Sequence, residues 1–195
     1  MNYLAHAVLA GPRSADRLGA MLGDFVKGPL PAGLPTALAA GVELHRRIDS
    51  FADAHPAFRS SRERISPQRR RYAGIMVDLF YDHFLALRWH DYVNQPLEDF
   101  AAELYALLAA HTRLLPPRLA LILPIMREED WLTSYRRPTA VGNALDRMAE
   151  RRLARPNTLA GAAEELGERY EAFEQDFLAF FPDAVTFADA IQNCR

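Results

Sequence analysis

The chain has 195 residues, half of them hydrophobic and a quarter charged, which fits one soluble globular domain with a sizeable core. Lysine plus arginine number 23 against 25 for aspartate plus glutamate, so the formal charge is −2 and the overall balance gives no sign of nucleic-acid binding. The single cysteine, Cys194, excludes an internal disulfide and a thiolate zinc site, and a reducing cytoplasm is the simplest home.

The opening MNYLAHAVLAG is apolar but short. It lacks a basic leader and contains His6, so it does not read as a signal peptide. Ser14 reads as the N-cap of a first helix reaching about Lys27, with Gly28 as its stop and Pro29 beyond. Pro29 to Pro35 is a loop. A second helix is predicted from Thr36 to Ala54, ending before Pro56.

Ser66 and Pro67 read as N-cap and first residue of a third helix reaching about Tyr92. Its apolar run from Tyr72 to Leu87 is too short and too charged for a membrane span. A fourth helix opens at Pro96 and reaches about Leu115. Arg118 to Ser134 should be helical with a bend or break at Pro124. Helices near Ala140 to Leu153 and Thr158 to Phe181 follow, and Pro182 should set off a short terminal helix. Period-3.6 patterning recurs and period-two alternation is nearly absent. The expectation is an all-α, single-domain helical bundle over residues 1–195.

Ionisable residues on faces that should be buried are the informative ones. On the second helix, Leu38, Val42, Ile48 and Ala52 form an apolar stripe that also contains Gly41, His45 and Asp49, while Arg47 faces away. A satisfied core His–Asp pair and a functional pair fit this equally. The third helix is apolar on nearly every face, yet it carries Asp78, Asp82 and His83. Asp78 and Asp82 lie one turn apart on one face. Burying two carboxylates side by side costs several kcal/mol per ion unless a cation compensates. A divalent metal answers that. An arginine partner for one of the two, with the other at a helix edge, is the plainer reading. His plus carboxylate without thiolate suits Mn, Fe, Mg or Zn. Asp24 at the polar edge of the first helix and His6 in an apolar stretch are weaker candidates when taken alone.

Arg46, following His45, and Lys27, three residues after Asp24, suit a phosphate ester beside a metal. Further basic clusters stand at Arg62, Arg64 and Arg69 to Arg71, at Arg136 and Arg137, and at Arg151, Arg152 and Arg155. They are solvated faces or a docking surface for an acidic protein. No P-loop, dinucleotide fingerprint, HExxH or GxSxG occurs, and aromatics are not interleaved with the basic runs as a nucleic-acid platform requires.

The segments MNYLAHAVLA, GDFVKG, GVELHRRIDSFAD, VDLFYDHFLALRW, WLTSYRRP and NALDRMAERR, in that order, make the chain resemble the bacterial acyl carrier protein phosphodiesterases. The resemblance covers essentially the whole chain. It implies an HD-like metal-dependent phosphohydrolase fold with rearranged motif order, and Mn²⁺ or Mg²⁺ as cofactor. The implied reaction converts holo acyl carrier protein and water to apo protein and 4′-phosphopantetheine. It carries Asp24, His45, Asp78, Asp82 and His83 over as metal-site residues, with His6 weaker; Asp49 is either a ligand or, the preferred reading, an orienting partner to a histidine one turn away. Asp78 is the general-base candidate, and Arg46 and Lys27 would offset phosphoryl charge. A nucleotide or other small phosphodiester is the alternative substrate, and a non-enzymatic helical module the bland alternative. The oligomeric state is left open.

Overall fold

The computed structural model describes residues 1–152 and 157–194. Among them the secondary structure is helical throughout, with no strand, as the periodicity requires. The helices are α1 (Tyr3–Leu9), α2 (Ser14–Leu22), α3 (Thr36–Ala54), α4 (Pro56–Arg64), α5 (Ala73–Leu87), α6 (Trp89–Tyr92), α7 (Leu97–Ala110), α8 (Pro117–Glu128), α9 (Trp131–Ser134), α10 (Pro138–Arg152), α11 (Glu164–Glu168) and α12 (Tyr170–Asn193). No helix among the described residues is long and apolar enough to cross a membrane. Leu153, the expected end of α10, lies outside the described residues, as does Arg155.

Helix α5 is the central element. Every residue from Leu79 to Ala86 is buried, and the helix packs against α1, α4, α10 and α12. Helix α12 supplies the other half of the core. Its Phe173, Phe177, Phe180 and Phe181 fall at i, i+4, i+7 and i+8, one stripe of a 3.6-residue helix. They meet Phe80, Tyr81 and Phe84 of α5 at ring separations from 5.1 to 5.9 Å. Burying one such ring contributes roughly 1.5–3 kcal/mol.

Helices α2 and α3 approach through glycine. A Cβ on Gly19 would stand 2.6 Å from the Leu38 carbonyl oxygen and 2.7 Å from the Gly41 Cα. Only hydrogen at both positions permits this spacing. The contact holds the His45 face of α3 against the end of α2.

Several boundaries depart from the sequence expectation. The first helix ends at Leu22, and Phe25 and Val26 close a turn by bonding back to the Leu22 carbonyl. Ser14 is the first helical residue rather than the cap. Ser66 does not cap a helix, because its amide and hydroxyl both donate to the buried Glu165 carboxylate, and α5 begins only at Ala73. Pro124 does not break α8, nor does Pro182 break α12. Both prolines are exposed, so the carbonyls they leave unpaired one turn earlier can turn to water. The break after α8 falls instead at Asp130, whose φ is 44°.

Candidate metal centre

Helix α1 carries the first donor. Its N-cap, Asn2, makes no side-chain capping bond, and α5 provides the substitute. The Asp82 carboxylate accepts from the Leu4 and Ala5 amides at 2.9 and 3.0 Å, satisfying two orphan donors of the first turn. That bond fixes the turn on which His6 sits. Helix α3 carries the second and third donors, His45 and Asp49, one turn apart.

These three converge. One Asp49 oxygen lies 3.1 Å from His6 Nε2, and the other lies 3.2 Å from His45 Nε2. The two imidazoles stack with centroids 3.6 Å apart and planes 14° off parallel. Donor atoms of His6, His45 and Asp49 all fall within 4.8 Å of one another. Asp24, in the turn after α2, brings a carboxylate oxygen to 3.8 Å from His45 Nε2. Asp78 of α5 stands on the other side, its Oδ1 3.0 Å from the Met1 α-ammonium, which also lies 3.1 Å from Asp49 Oδ1. Asp24, Asp49 and Asp78 line one cavity of about 270 Å³ with Met1, Asn2 and Phe58.

The histidine geometry decides what the cluster can hold. His45 Nδ1 lies 2.8 Å from the Ala20 carbonyl oxygen. A carbonyl only accepts, so Nδ1 carries hydrogen, and Nε2 turns either a lone pair or a second proton toward the carboxylates. Burial opposes charge on His45, but hydrogen bonds to Asp24 and Asp49 outweigh it and raise its pKa to about 9. In His6, burial and then the like charge of His45 push the pKa down to about 4. Its Nδ1 is buried with no hydrogen-bond partner among the described residues. Burial works against ionised Asp49 too, yet His45, His6 and the Met1 ammonium hold it well below the ordinary carboxylate range. Asp24 is lowered by His45 against its own burial. Asp78 is raised, by burial first and by the charges of Asp49 and Asp24, against the pull of the ammonium. The cluster stabilises positive charge at its centre, and the α-ammonium and the proton on His45 supply it here. This donor set fits a divalent cation.

Asp82 and His83 do not join the group. Both Asp82 oxygens are engaged by α1. His83 points the other way, with Nδ1 donating to the Tyr135 carbonyl at 2.7 Å and Nε2 2.8 Å from the Tyr170 hydroxyl. Both of its ring nitrogens are thus used in structural contacts. Arg46 is tied by its guanidinium to the Val26 carbonyl at 2.9 Å, which steadies the turn carrying Asp24. Neither Arg46 nor Lys27 lines the acidic cavity. The role of Asp49 as the meeting point of both histidines was the feature least visible in sequence. Its i,i+4 spacing from His45 was the available signal.

Asp82 makes a stability prediction. Burial raises its pKa to about 7, with the Leu4 and Ala5 amides holding it from going higher. A carboxyl raised on folding contributes stability that is present below its unfolded pKa, near 4, and lost as pH rises through the folded value. The stability of the wild type relative to Asp82→Asn should therefore fall between about pH 4 and 8, at a slope of up to about 1.4 kcal/mol per unit. Parallel urea titrations across that range would check it, and a flat difference would contradict it.

Most of the basic clusters serve the fold. Arg62 pairs with Asp53, Arg64 with Asp176, Arg69 with Glu165 and Arg136 with Glu98. Arg70, Arg71 and Arg137 are exposed and make no ion pair among the described residues. The side chains of Arg151 and Arg152, like Arg155, lie outside the described residues.

Comparison with known proteins bears on the chemistry. A family model described as acyl carrier protein phosphodiesterase matches residues 1–184. A protein of that name from Serratia proteamaculans is 36% identical over 183 residues, covering 93% of this chain and 94% of the relative. Those from Yersinia pestis and Escherichia coli O139:H28 are 33% and 36% identical, with the same coverage. No solved structure matches the chain.

Proposed function

Because the chain belongs to the acyl carrier protein phosphodiesterase family, we propose that it hydrolyses holo acyl carrier protein to apo protein and 4′-phosphopantetheine with a divalent cation, Mn²⁺ or Mg²⁺. The observation that carries the metal reading is the convergence of His6 Nε2, His45 Nε2 and Asp49 on one point, with the His45 tautomer fixed from behind by Ala20. His6, His45 and Asp49 would hold the ion, with Asp24 and Asp78 beside it. When bound, such a cation supplies Lewis acidity, offsetting phosphoryl charge and making water acidic enough to deprotonate near neutral pH. The family's similarity to HD-type metal-dependent phosphohydrolases supports this reading.

The protein's own groups divide the remaining work. Asp78 is not among the three converging donors, and its raised pKa suits a carboxylate that accepts a proton from the attacking water. The stacked imidazoles hold each other's orientation. Two ester oxygens flank the phosphorus of the substrate, one toward pantetheine and one from the carrier serine. The bond from phosphorus to the serine oxygen breaks, that oxygen takes a proton to restore the apo protein, and water supplies the new hydroxyl of 4′-phosphopantetheine.

Intact-mass spectrometry of holo acyl carrier protein incubated with this protein, with Mn²⁺ or with chelator, tests the reading. A metal-dependent loss of the prosthetic group is the expected result. A folded sample that leaves the carrier intact yet hydrolyses nucleotides would replace it with the small-phosphodiester alternative. Docking of an acidic carrier is expected on the free arginines Arg70, Arg71 and Arg137. The KM for the carrier should then rise with ionic strength, while that for a small chromogenic diester responds less. Equal salt responses would remove the docking claim.

A further inference from the structure

A second cavity, of about 440 Å³, opens between α8 and α10. Leu121, Ile122 and Ile125 form one wall, and Ala140, Ala144 and Met148 form the other. Its size suits a small organic ligand. Leu121 at its edge is 74% exposed.

The cavity adjoins the acidic one. Met148 lines both, and the consecutive residues Asn2 and Tyr3 line one each. Met148 thus stands between them beside the chain's first turn, together with Asn2 and Tyr135, which are bonded to each other and line one cavity each. Methionine is the side chain most easily re-packed to open a passage.

We propose that this cavity is the subsite for the pantetheine arm of the substrate; the assignment rests on the phosphodiesterase reading. A phosphodiester held at the acidic cluster has two arms. One leads to a folded carrier protein, which no cavity of this size can admit. The other is a thin chain of methyl-bearing carbons, two amides and a terminal thiol. It must leave the phosphate toward a neighbouring cavity, and the one that shares Met148 with the acidic cavity has the size to take it. The aliphatic walls cover its methyl and methylene groups, and Asn143 on the lining offers an amide for its amides.

Trp131 lines the cavity, whereas the only other tryptophan, Trp89, is buried elsewhere with its Nε1 bonded to the Gln95 carbonyl. Adding pantetheine to metal-free protein should therefore produce a saturable change in tryptophan emission. Trp131→Phe and the cavity-filling Ala144→Phe should abolish it. In steady-state assays with Mn²⁺, Ala144→Phe should raise the ratio of KM for holo carrier to KM for bis(p-nitrophenyl) phosphate about tenfold. Ala140→Leu, a milder filling of the same wall, repeats the measurement should the larger change unfold the protein. Folded variants with an unchanged KM ratio, or no emission change with pantetheine, would overturn the arm assignment. An emission change with a free fatty acid but not with pantetheine would overturn it as well, in favour of an acyl-chain site. Wild-type protein that hydrolyses the chromogenic diester but leaves the holo carrier intact overturns the functional reading itself.

Discussion

Asp49→Asn is expected to lower Mn²⁺-dependent turnover of the carrier by about 100-fold or more, with the helical fold intact. Each Asp49 oxygen has its own histidine, His6 at 3.1 Å and His45 at 3.2 Å. An amide keeps one acceptor and turns the other into a donor, so the histidine facing the donor keeps its contact only with an unprotonated Nε2, the lone pair a metal would need. The charge disappears as well, and with it one of the two carboxylate supports of the pKa of about 9 on His45. The substitution should therefore lower that pKa. In the wild type the proton on His45 competes with the metal, so the apparent affinity for Mn²⁺ should climb with pH up to about 9 and level off above it. In Asp49→Asn the climb should end at lower pH, from a much weaker starting affinity. Calorimetric titration with Mn²⁺, alongside turnover, reads both effects. Turnover within a few-fold of wild type would remove Asp49 from the centre.

Gly23→Ala is the second large effect, from a residue with no functional group. A Cβ at Gly23 would stand 2.2 to 2.4 Å from three atoms of the His45 ring. Real contacts are never that short, so the imidazole must move. Its Nδ1 is bonded to the Ala20 carbonyl and its face is stacked on His6, so it cannot move without losing one or both. A shift of about 1 Å in a catalytic group costs on the order of 100-fold in rate. Turnover should fall by that order, while unfolding shows only a modest loss. Gly23 is at the C-cap of α2 with φ −51°, so the backbone itself accepts alanine. Activity comparable to wild type would show that His45 is free to adjust.

The sequence patterns located α3 at its observed bounds, Thr36–Ala54, because a clean apolar stripe lies between Pro35 and Pro56. The same stripe put His45 and Asp49 under suspicion. Helix α1 escaped notice because it has seven residues and no cap of its own. Its capping group arrives from Asp82, some 77 residues away, and no local pattern encodes that. Helix α4 was missed for a similar reason, since its PAFRSSRER has little apolar face, and its start depends on His55 accepting from the Ala57 amide. Asp78 and Asp82 do share a face of α5, as their spacing implied, and both look toward the N-terminal segment. Sequence proximity made His83 look like their companion. A residue next to Asp82 on a helix points about 100° away, and His83 is spent on Tyr135 and Tyr170.

The reach of the Asp82 cap and of the contact between His6 and Asp49, 43 residues apart, bears on how the molecule assembles. The pocket is complete only when α1 docks on α5 and brings His6 to Asp49 of α3. Loop closure of that length must precede any reward from the donors. A cation captured by His6 and Asp49 then has nothing to grip during collapse. It should leave the refolding rate nearly unchanged and act almost wholly on the rate of unfolding, so that chelation shortens the lifetime of the native chain rather than delaying its birth.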